Sequence, residues 1–362
     1  MTTLTKESTV PGLAATRLPS KAYAAMAVSQ DLVPWNFTRR IPMEHDVLVE
    51  IKYCGICHTD IHFVRNDFGM SSYPLVPGHE IVGVVKEVGA HVTKFKVGDT
   101  VGIGCVVDSC RECDNCKQDQ QQYCLNGATW TYGVPDKNGE VTYGGYSNQI
   151  VCDENYVLSV GSNLPLEKVA PLLCAGITTY SPLRRWNVRK GQRVAVVGLG
   201  GLGHMAVKLA VAMGAEVTVL STHPAKQDDA IKLGAHKFVM TKDEEQVKTV
   251  QAYFDFILDT VSADHDYNFY LSMLRAHGTM CCVGLPGTPS PVPAFNLVFF
   301  GRNLAGSLIG GIAETQEMLD FCTEHNITAD IELINIKDVN KAFERIEKSD
   351  VKYRFVIDMA TL

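Results

Sequence analysis

The most constraining stretch of the chain is Val194-Ala195-Val196-Val197 followed at once by Gly198-Leu199-Gly200-Gly201-Leu202-Gly203. The apolar, β-branched run reads as a buried strand, and His204 to Met213 carries the pattern of a helix. Gly198, Gly200 and Gly203 therefore stand at G-x-G-x-x-G spacing between strand and helix, the context in which that spacing has physical meaning. Glycines there permit a tight turn and let amides at the helix N-terminus approach the pyrophosphate of a dinucleotide, work that a flexible glycine linker does not do. A strand at Val217–Leu220, a helix near Ala225–Leu233, and strand candidates at Phe254–Asp259, Thr279–Val283 and Leu304–Ile309 continue the alternation. Strands alternating with helices imply an α/β, doubly wound parallel sheet.

The end of the second strand bears on which dinucleotide fits. An acid at that place accepts from the adenosine ribose of NAD(H). Here Ser221 occupies it, followed by Thr222, His223 and Lys226. Hydroxyls and a cation suit the 2′-phosphate of NADP(H), which a carboxylate would repel. The same residues also make a polar turn before a helix, and the two roles are compatible.

The remainder needs a second folding unit, because 362 residues exceed what one ordinary core organises. From Ala22 to about Val160 the chain shows short β-like runs, Val47–Ile51, Ile81–Val85, Thr100–Ile103 and Ser147–Val151, broken by glycine and proline. That half reads as mostly antiparallel β with long functional loops. After Gly311 come an amphipathic run, Glu314–His325, an extended segment at Ala329–Leu333, a helix around Val339–Lys348 and a last strand at Tyr353–Ile357. Part of this tail is expected to return to the first unit. The division expected is 1–174 with 313–362 as the mostly-β unit, and 175–312 as the doubly wound, dinucleotide-binding (Rossmann) unit.

A net charge of −7 provides no basic field for nucleic-acid phosphates or anionic lipid, so neither partner is expected. Met1–Ser20 lacks the apolar core of a secretory leader, and no stretch reaches the roughly 18 apolar residues of a membrane span. A cytoplasmic protein is the expectation, and there its 12 cysteines point to metal or catalysis rather than disulfides.

Cys110, Cys113, Cys116 and Cys124 stand at C-x2-C-x2-C-x7-C, which suits four thiolates closing a tetrahedron around zinc; an iron–sulfur cluster is the chemical alternative. With every position filled by protein, such a zinc is structural. Cys57 and His79 supply a thiolate and an imidazole from separate loops, and Cys174 is a candidate third ligand. Three ligands leave one position open, where zinc lowers the pKa of a bound hydroxyl toward about 7 or polarises a carbonyl. Singly, each of these residues reads equally as a buried small group or a turn histidine. Their combination with the cysteine clip and the dinucleotide turn changes the reading.

In that combination the chain resembles the medium-chain zinc-dependent alcohol dehydrogenases, in their cinnamyl alcohol dehydrogenase-like branch. The resemblance rests on Gly55-Ile56-Cys57-His58-Thr59-Asp60-Ile61-His62, Tyr73-Pro74-Leu75-Val76-Pro77-Gly78-His79-Glu80, the clip, Cys174-Ala175-Gly176-Ile177-Thr178 and Val351-Lys352-Tyr353-Arg354-Phe355-Val356. It implies a catalytic zinc on Cys57, His79 and Cys174, with Glu80 as an alternative ligand. It further implies that Thr59 takes the substrate's hydroxyl proton, that His62 passes it to solvent, and that Asp60 orients the His79 ring. Thr59 and Asp60 would also serve as caps of a helix beginning there. Leu199, Gly201 and Leu202 of the glycine turn, together with Thr178 and Arg354, are assigned to the cofactor by the same resemblance, Arg354 toward the pyrophosphate.

The activity implied is NADP(H)-dependent interconversion of primary alcohols and aldehydes. Reduction of C=C or C=N bonds by a relative without the proton relay is the rival chemistry, and Thr59 and His62 argue against it. A non-catalytic NADPH-binding or redox-sensing protein would be expected to show a defective zinc site or relay. Phe68, Met70, Trp130 and Phe299 are candidates for an apolar substrate wall favouring aromatic or allylic aldehydes, and equally candidates for core. Leu304–Gly310 is apolar and last in the sheet order, so pairing with its copy across a twofold axis is expected, giving a homodimer.

Overall fold

The computed structural model describes residues 17–362; the opening of the Met1–Ser20 segment, 1–16, lies outside the described residues. Strands β1 (Arg17–Ala24) and β2 (Val33–Arg40) form an antiparallel hairpin. Next in the chain come β3 (Asp46–Gly55), β4 (Ile81–Val88) and β5 (Thr100–Ile103), joined in antiparallel pairs. A small pair, β6 (Val106–Asp108) with β7 (Thr129–Trp130), carries the clip as a long loop between its strands. Strands β8 (Gln149–Asp153) and β9 (Leu158–Ser159) then add to β3 and β5. The short β-like runs broken by glycine and proline do fold as antiparallel pairs, although the ladder of the last long run begins at Gln149 rather than Ser147.

Six strands make the parallel sheet: β10 (Arg193–Val197), β11 (Glu216–Ser221), β12 (Lys237–Met240), β13 (Phe254–Asp259), β14 (Leu274–Cys282) and β15 (Asn303–Gly306). Their spatial order is β12-β11-β10-β13-β14-β15, and every neighbouring pair is parallel. Val194 to Val197 are buried on both faces, as a central strand covered by helices requires. The order reverses at β10, so a crevice opens between the C-terminal ends of β10 and β13, where such sheets bind ligands. Strand β15 stops at Gly306, short of the expected Ile309, because the backbone turns toward the clip lobe at Leu308.

The tail returns as expected. Strands β16 (Ile331–Asn335) and β17 (Arg354–Asp358) complete a seven-stranded sheet by pairing β17 with β3, in the order β16-β17-β3-β4-β5-β9 with β8 also on β3. This return carries Tyr353 and Arg354 from the end of the chain to the junction of the two sheets. The helix Ala175–Arg185 lies at that junction too, packed on both the helix Gly203–Ala212 and the helix Ile312–His325. Among the described residues, no helix is long and apolar enough to cross a membrane.

Candidate active site

The Cys57 loop ends in a short helix, His58–Arg65, whose N-cap is Cys57 itself. Asp60 sits at its third position and accepts the Cys57 amide at 2.9 Å through Oδ2, the reciprocal half of a capping box. Cys57 is thereby held with its sulfur pointing off the helix start. The capping role of Asp60 is real, and it does not exclude the second role. The same carboxylate accepts from Tyr146 Oη at 3.0 Å, Tyr132 Oη at 2.8 Å and the Gly78 amide at 3.1 Å, and lies 3.3 Å from His79 Nδ1. With Nδ1–H directed at Asp60, the other ring nitrogen of His79 is the one left to bind a metal.

Gly78 makes this convergence possible. Its φ is +102°, and a Cβ there would stand 2.6 Å from the Tyr146 ring and 2.8 Å from Cys54 Sγ. Neither tyrosine was legible as part of the site, since both come from the loop beyond the clip. Tyr132 also stacks on His79 with ring centroids 5.7 Å apart.

Cys174 arrives at the start of the helix Ala175–Arg185, and its Sγ stands 3.8 Å from that of Cys57. Two thiolates of one tetrahedral zinc, each at about 2.3 Å, stand about 3.8 Å apart. Donor atoms of Cys57, His79, Glu80 and Cys174 all lie within 4.8 Å of one another, and all four residues are buried. Hydrogen bonding from Cys174 holds the Cys57 thiol well below the ordinary range. Cys105, not singled out from the sequence, belongs to the same surroundings: its contact with Cys174 lowers its own thiol and is the first cause of the rise at Cys174.

Glu80 is fully buried; one oxygen pairs with Arg354, and Oε2 has no partner among the described residues. Room for Oε2 exists only because residue 55 is glycine, whose Cβ would stand 1.9 Å from it. Burial pushes the carboxyl up to about 8, against the attraction of Arg354. An unpartnered carboxylate oxygen beside two thiols and an imidazole is a donor set short of its cation, and zinc fits it.

Thr59 Oγ1 is 3.5 Å from Cys57 Sγ, which puts the hydroxyl on the rim of the donor set. One turn along the helix, half-buried His62 is held through Nδ1 by Asp67 at 2.7 Å, leaving Nε2 free. Phe68 packs on the His62 ring at 5.2 Å and is half-exposed, as is Met70. Trp130 is partly buried in β7, two residues before Tyr132. Phe299 lies elsewhere, stacked on Phe295 in an exposed apolar patch next to β15.

In the clip, donor atoms of Cys110, Cys113, Cys116 and Cys124 form the other cluster of this kind among the described residues. Amides of Cys113, Cys110 and Leu125 point at the sulfurs of Cys110, Cys124 and Cys113 at 3.4 to 3.5 Å. Such amides stabilise thiolates; those of Glu112 and Cys113 lower Cys110 to about 6.

The glycine turn runs from β10 into the helix Gly203–Ala212. A Cβ at Gly203 would stand 2.2 Å from Gly198 O, so strand and helix pack too closely for any side chain there. Leu199 is buried, Gly200 has open space where a Cβ would stand, and Leu202 is partly buried. Gly201 lies against Arg354, with its Cβ position 2.9 Å from Arg354 Cδ. Arg354 thus spans from the glycine turn to Glu80. Thr178 is buried on the helix that Cys174 caps. Ser221 ends β11, its Oγ accepting the His223 amide at 3.2 Å, while Thr222 and His223 are exposed and Lys226 Nζ stands 5.6 Å above the Tyr353 ring.

Comparison with known proteins places this geometry among relatives. A family model described as an alcohol dehydrogenase GroES-like domain matches residues 43–162, and one described as a zinc-binding dehydrogenase matches residues 201–324. The chain is 56% identical over 342 residues, 94% of this chain and 98% of the relative, to an NADP-dependent alcohol dehydrogenase C of Mycolicibacterium smegmatis. Among solved structures it is similar to a cinnamyl alcohol dehydrogenase from Sorghum bicolor, with 47% identity, a TM-score of 0.91 and coverage of 94% of this chain and 98% of that one. A cinnamyl alcohol dehydrogenase from Helicobacter pylori complexed with NADP(H) is also similar, at 46% identity and TM-score 0.89, over 95% of this chain and 99% of that one.

Proposed function

The chain belongs to the medium-chain zinc-dependent alcohol dehydrogenases, in their cinnamyl alcohol dehydrogenase-like branch, and we propose that it interconverts aromatic or allylic aldehydes and their primary alcohols with NADP(H). It is an NADP-dependent zinc alcohol dehydrogenase. The observation that carries the reading is the buried set Cys57, His79 and Cys174 beside the unpartnered Glu80 oxygen, bridged by Arg354 to the glycine turn.

Cys57, His79 and Cys174 hold the catalytic zinc, Glu80 stands by as an alternative ligand, and the clip holds a structural zinc. Bound in these places, zinc supplies Lewis acidity toward the substrate oxygen and NADP(H) supplies or takes a hydride. Thr59 accepts the hydroxyl proton and His62, one helical turn away and half-exposed, passes it to solvent through Nε2, the ring nitrogen that Asp67 does not hold. Asp60 keeps the His79 tautomer fixed. Ser221, Thr222, His223 and Lys226 receive the 2′-phosphate, and Thr178 with Arg354 borders the cofactor. Phe68, Met70 and Trp130 favour an aromatic or allylic substrate over a polyhydroxy one.

The same reading takes 1–174 with 313–362 as the catalytic unit and 175–312 as the nucleotide unit. It takes the cytosol as the compartment, in keeping with 12 cysteines that are all free. The exposed edge of β15, beside exposed Phe295, Val298 and Phe299, supports a homodimer.

Metal analysis and a steady-state screen of NADPH oxidation test this together. Two zinc ions per chain are expected, with kcat/KM for cinnamyl and benzylic aldehydes at least about tenfold above that for sugar aldehydes, a difference of about 1.4 kcal/mol. One metal ion or none in chelator-free protein, or a preference for sugar aldehydes, would overturn it.

A further inference from the structure

The crevice between β10 and β13 is bordered on one side by the glycine turn and on the other by the loop that leaves β13 at Asp259. Thr260 ties that loop to the last residue of β10: its amide and its Oγ1 both donate to Val197 O, at 3.2 and 2.7 Å. Val261 is pressed against the turn, since a Cβ at Gly198 would stand 2.8 Å from Val261 Cγ2, and against the loop after β14, since a Cβ at Gly284 would stand 2.2 Å from Val261 O. The position of Thr260 and Val261 therefore sets one wall of the dinucleotide cleft.

A closure of three hydrogen bonds holds the loop in that shape. Asp259 is buried; Oδ1 accepts the Val261 amide at 3.1 Å and Oδ2 lies 2.8 Å from His265 Nε2. The other ring nitrogen, Nδ1, lies 2.7 Å from Ala263 O. A carbonyl can only accept, and so can an ionised carboxylate, so both ring nitrogens must donate at once. Only the imidazolium does that; the neutral ring has one N–H and would set a lone pair against one of the two acceptors.

We propose that Asp259 and His265 are positioning residues for the dinucleotide: imidazolium His265 closes the loop that presses Thr260 and Val261 onto the glycine turn, and loss of its second proton releases it. The inference rests on dinucleotide binding in this cleft.

Each packed neighbour bears on the charge of His265. Asp259 on β13 and Asp264 on the loop itself are the acids that face it, and Asp264 is turned toward Thr288 in the loop after β14. The helix Tyr267–Leu271 presents two phenols, Tyr267 and Tyr270, edge-on to the ring at 5.1 and 5.6 Å. Behind Asp259 on β14 lies Cys282, which burial pushes up to about 12, as burial also does for both phenols. These groups are neutral through the working range, so the acids decide. The hydrogen bond to Asp259, followed by the Ala263 carbonyl against the opposing cost of burial, holds His265 above the ordinary imidazole range. The sign follows: the closure is complete below that raised pKa and is lost as pH climbs through it.

The test measures the binding of NADPH and of NADH by fluorescence from about pH 6 to about pH 10, with hydrogen exchange of residues 260–266 in the cofactor-free protein. NADH lacks the 2′-phosphate and so is free of any pH effect that the phosphate itself carries. Wild type should lose about tenfold in affinity for both dinucleotides as pH rises, the size of one charge-assisted hydrogen bond. His265→Gln, which does not titrate and cannot donate in both directions, should bind weakly at every pH. Asp259→Asn should invert the dependence, because its amide donates to the neutral ring's Nε2 while Nδ1–H still serves Ala263, so the closure forms at high pH and fails at low pH. Exchange should follow the same three patterns. If His265→Gln tracks wild type, or Asp259→Asn keeps the wild-type direction, the proposal falls. Exchange in the proposed order without dinucleotide binding at any pH would support the closure and strike at the cofactor reading instead.

Discussion

Ser221 shows how one side chain serves two purposes. Its hydroxyl accepts the His223 amide and so turns the chain out of β11, which is the modest role the sequence allowed for it. A carboxylate in its place could make the same turn, so turn-making does not explain serine. On the proposed reading discrimination does, because the residue would stand at the strand end where a dinucleotide's ribose carries either a hydroxyl or a phosphate. Wild-type protein should favour NADPH over NADH by at least about tenfold in kcat/KM, about 1.4 kcal/mol, which charge-assisted hydrogen bonds readily supply. Ser221→Asp should erase or reverse that preference, and Lys226→Ala should weaken NADPH alone. Equal use of NADH by wild type would show that this strand end does not choose the cofactor. At the same scale, Cys57, His79 and Cys174 were legible as candidate ligands only through the combination of motifs along the chain, each read singly being equally a buried small group or a turn histidine. Tyr132, Tyr146 and Cys105 were not, because no local pattern marks a tyrosine or cysteine that reaches the site from another loop.

The clip is an element of 15 residues with almost no core of its own. Its polar residues Arg111, Glu112 and Asp114 are exposed, and the loop between β6 and β7 is held by few side-chain ties, chiefly Arg111 to Asp108 and Asp153 and Asn115 to the Tyr123 carbonyl, so a metal on its sulfurs would carry much of its order. It nevertheless anchors distant chain. Tyr123 Oη accepts the Leu308 amide at 2.9 Å, Gln121 Oε1 accepts the Ile312 amide at 3.1 Å, and a Cβ at Gly311 would collide with Asp119 O. These contacts grip the segment where the parallel sheet passes the chain back to the other half. Cys113→Ser should therefore cost folding as well as one zinc, since metal binding in such clips supplies on the order of 10 kcal/mol. Cys174→Ser should lose the other zinc and nearly all activity while its melting temperature falls much less. Calorimetry with metal analysis separates the two, and equal losses of melting temperature would deny the division of roles.

At the scale of the molecule, β15 is the feature the single chain leaves unfinished. It is the last strand of the parallel sheet, with one edge unpaired among the described residues, and the helix Ala294–Val298 before it leaves Phe295, Val298 and Phe299 each about two-thirds or more exposed. An open strand edge beside exposed aromatics invites association. Light scattering should return twice the 39.7 kDa of one chain at working concentration, and Val298→Asp should shift it toward the monomer. A wild-type mass near that of one chain would reject the dimer.

What the sequence determined by itself was whatever short-range chemistry dictates. The glycine turn, the cysteine spacing and the β-α alternation each depend on neighbours a few residues away, and so each is legible along the chain alone. Short β-like runs punctuated by glycine and proline also announced an antiparallel half, because tight turns reverse the chain between neighbouring strands. Only the tertiary structure decided what long-range convergence creates. Asp60 gathers donors from four segments, Arg354 travels from the last strand to lie between Glu80 and Gly201, and Asp259 meets His265 over Val261. The first two arrangements depend on which strands become neighbours, and the third on how a loop packs between two others. Burial then sets the charges, because a carboxylate or an imidazole removed from water answers to the few partners that folding has placed against it.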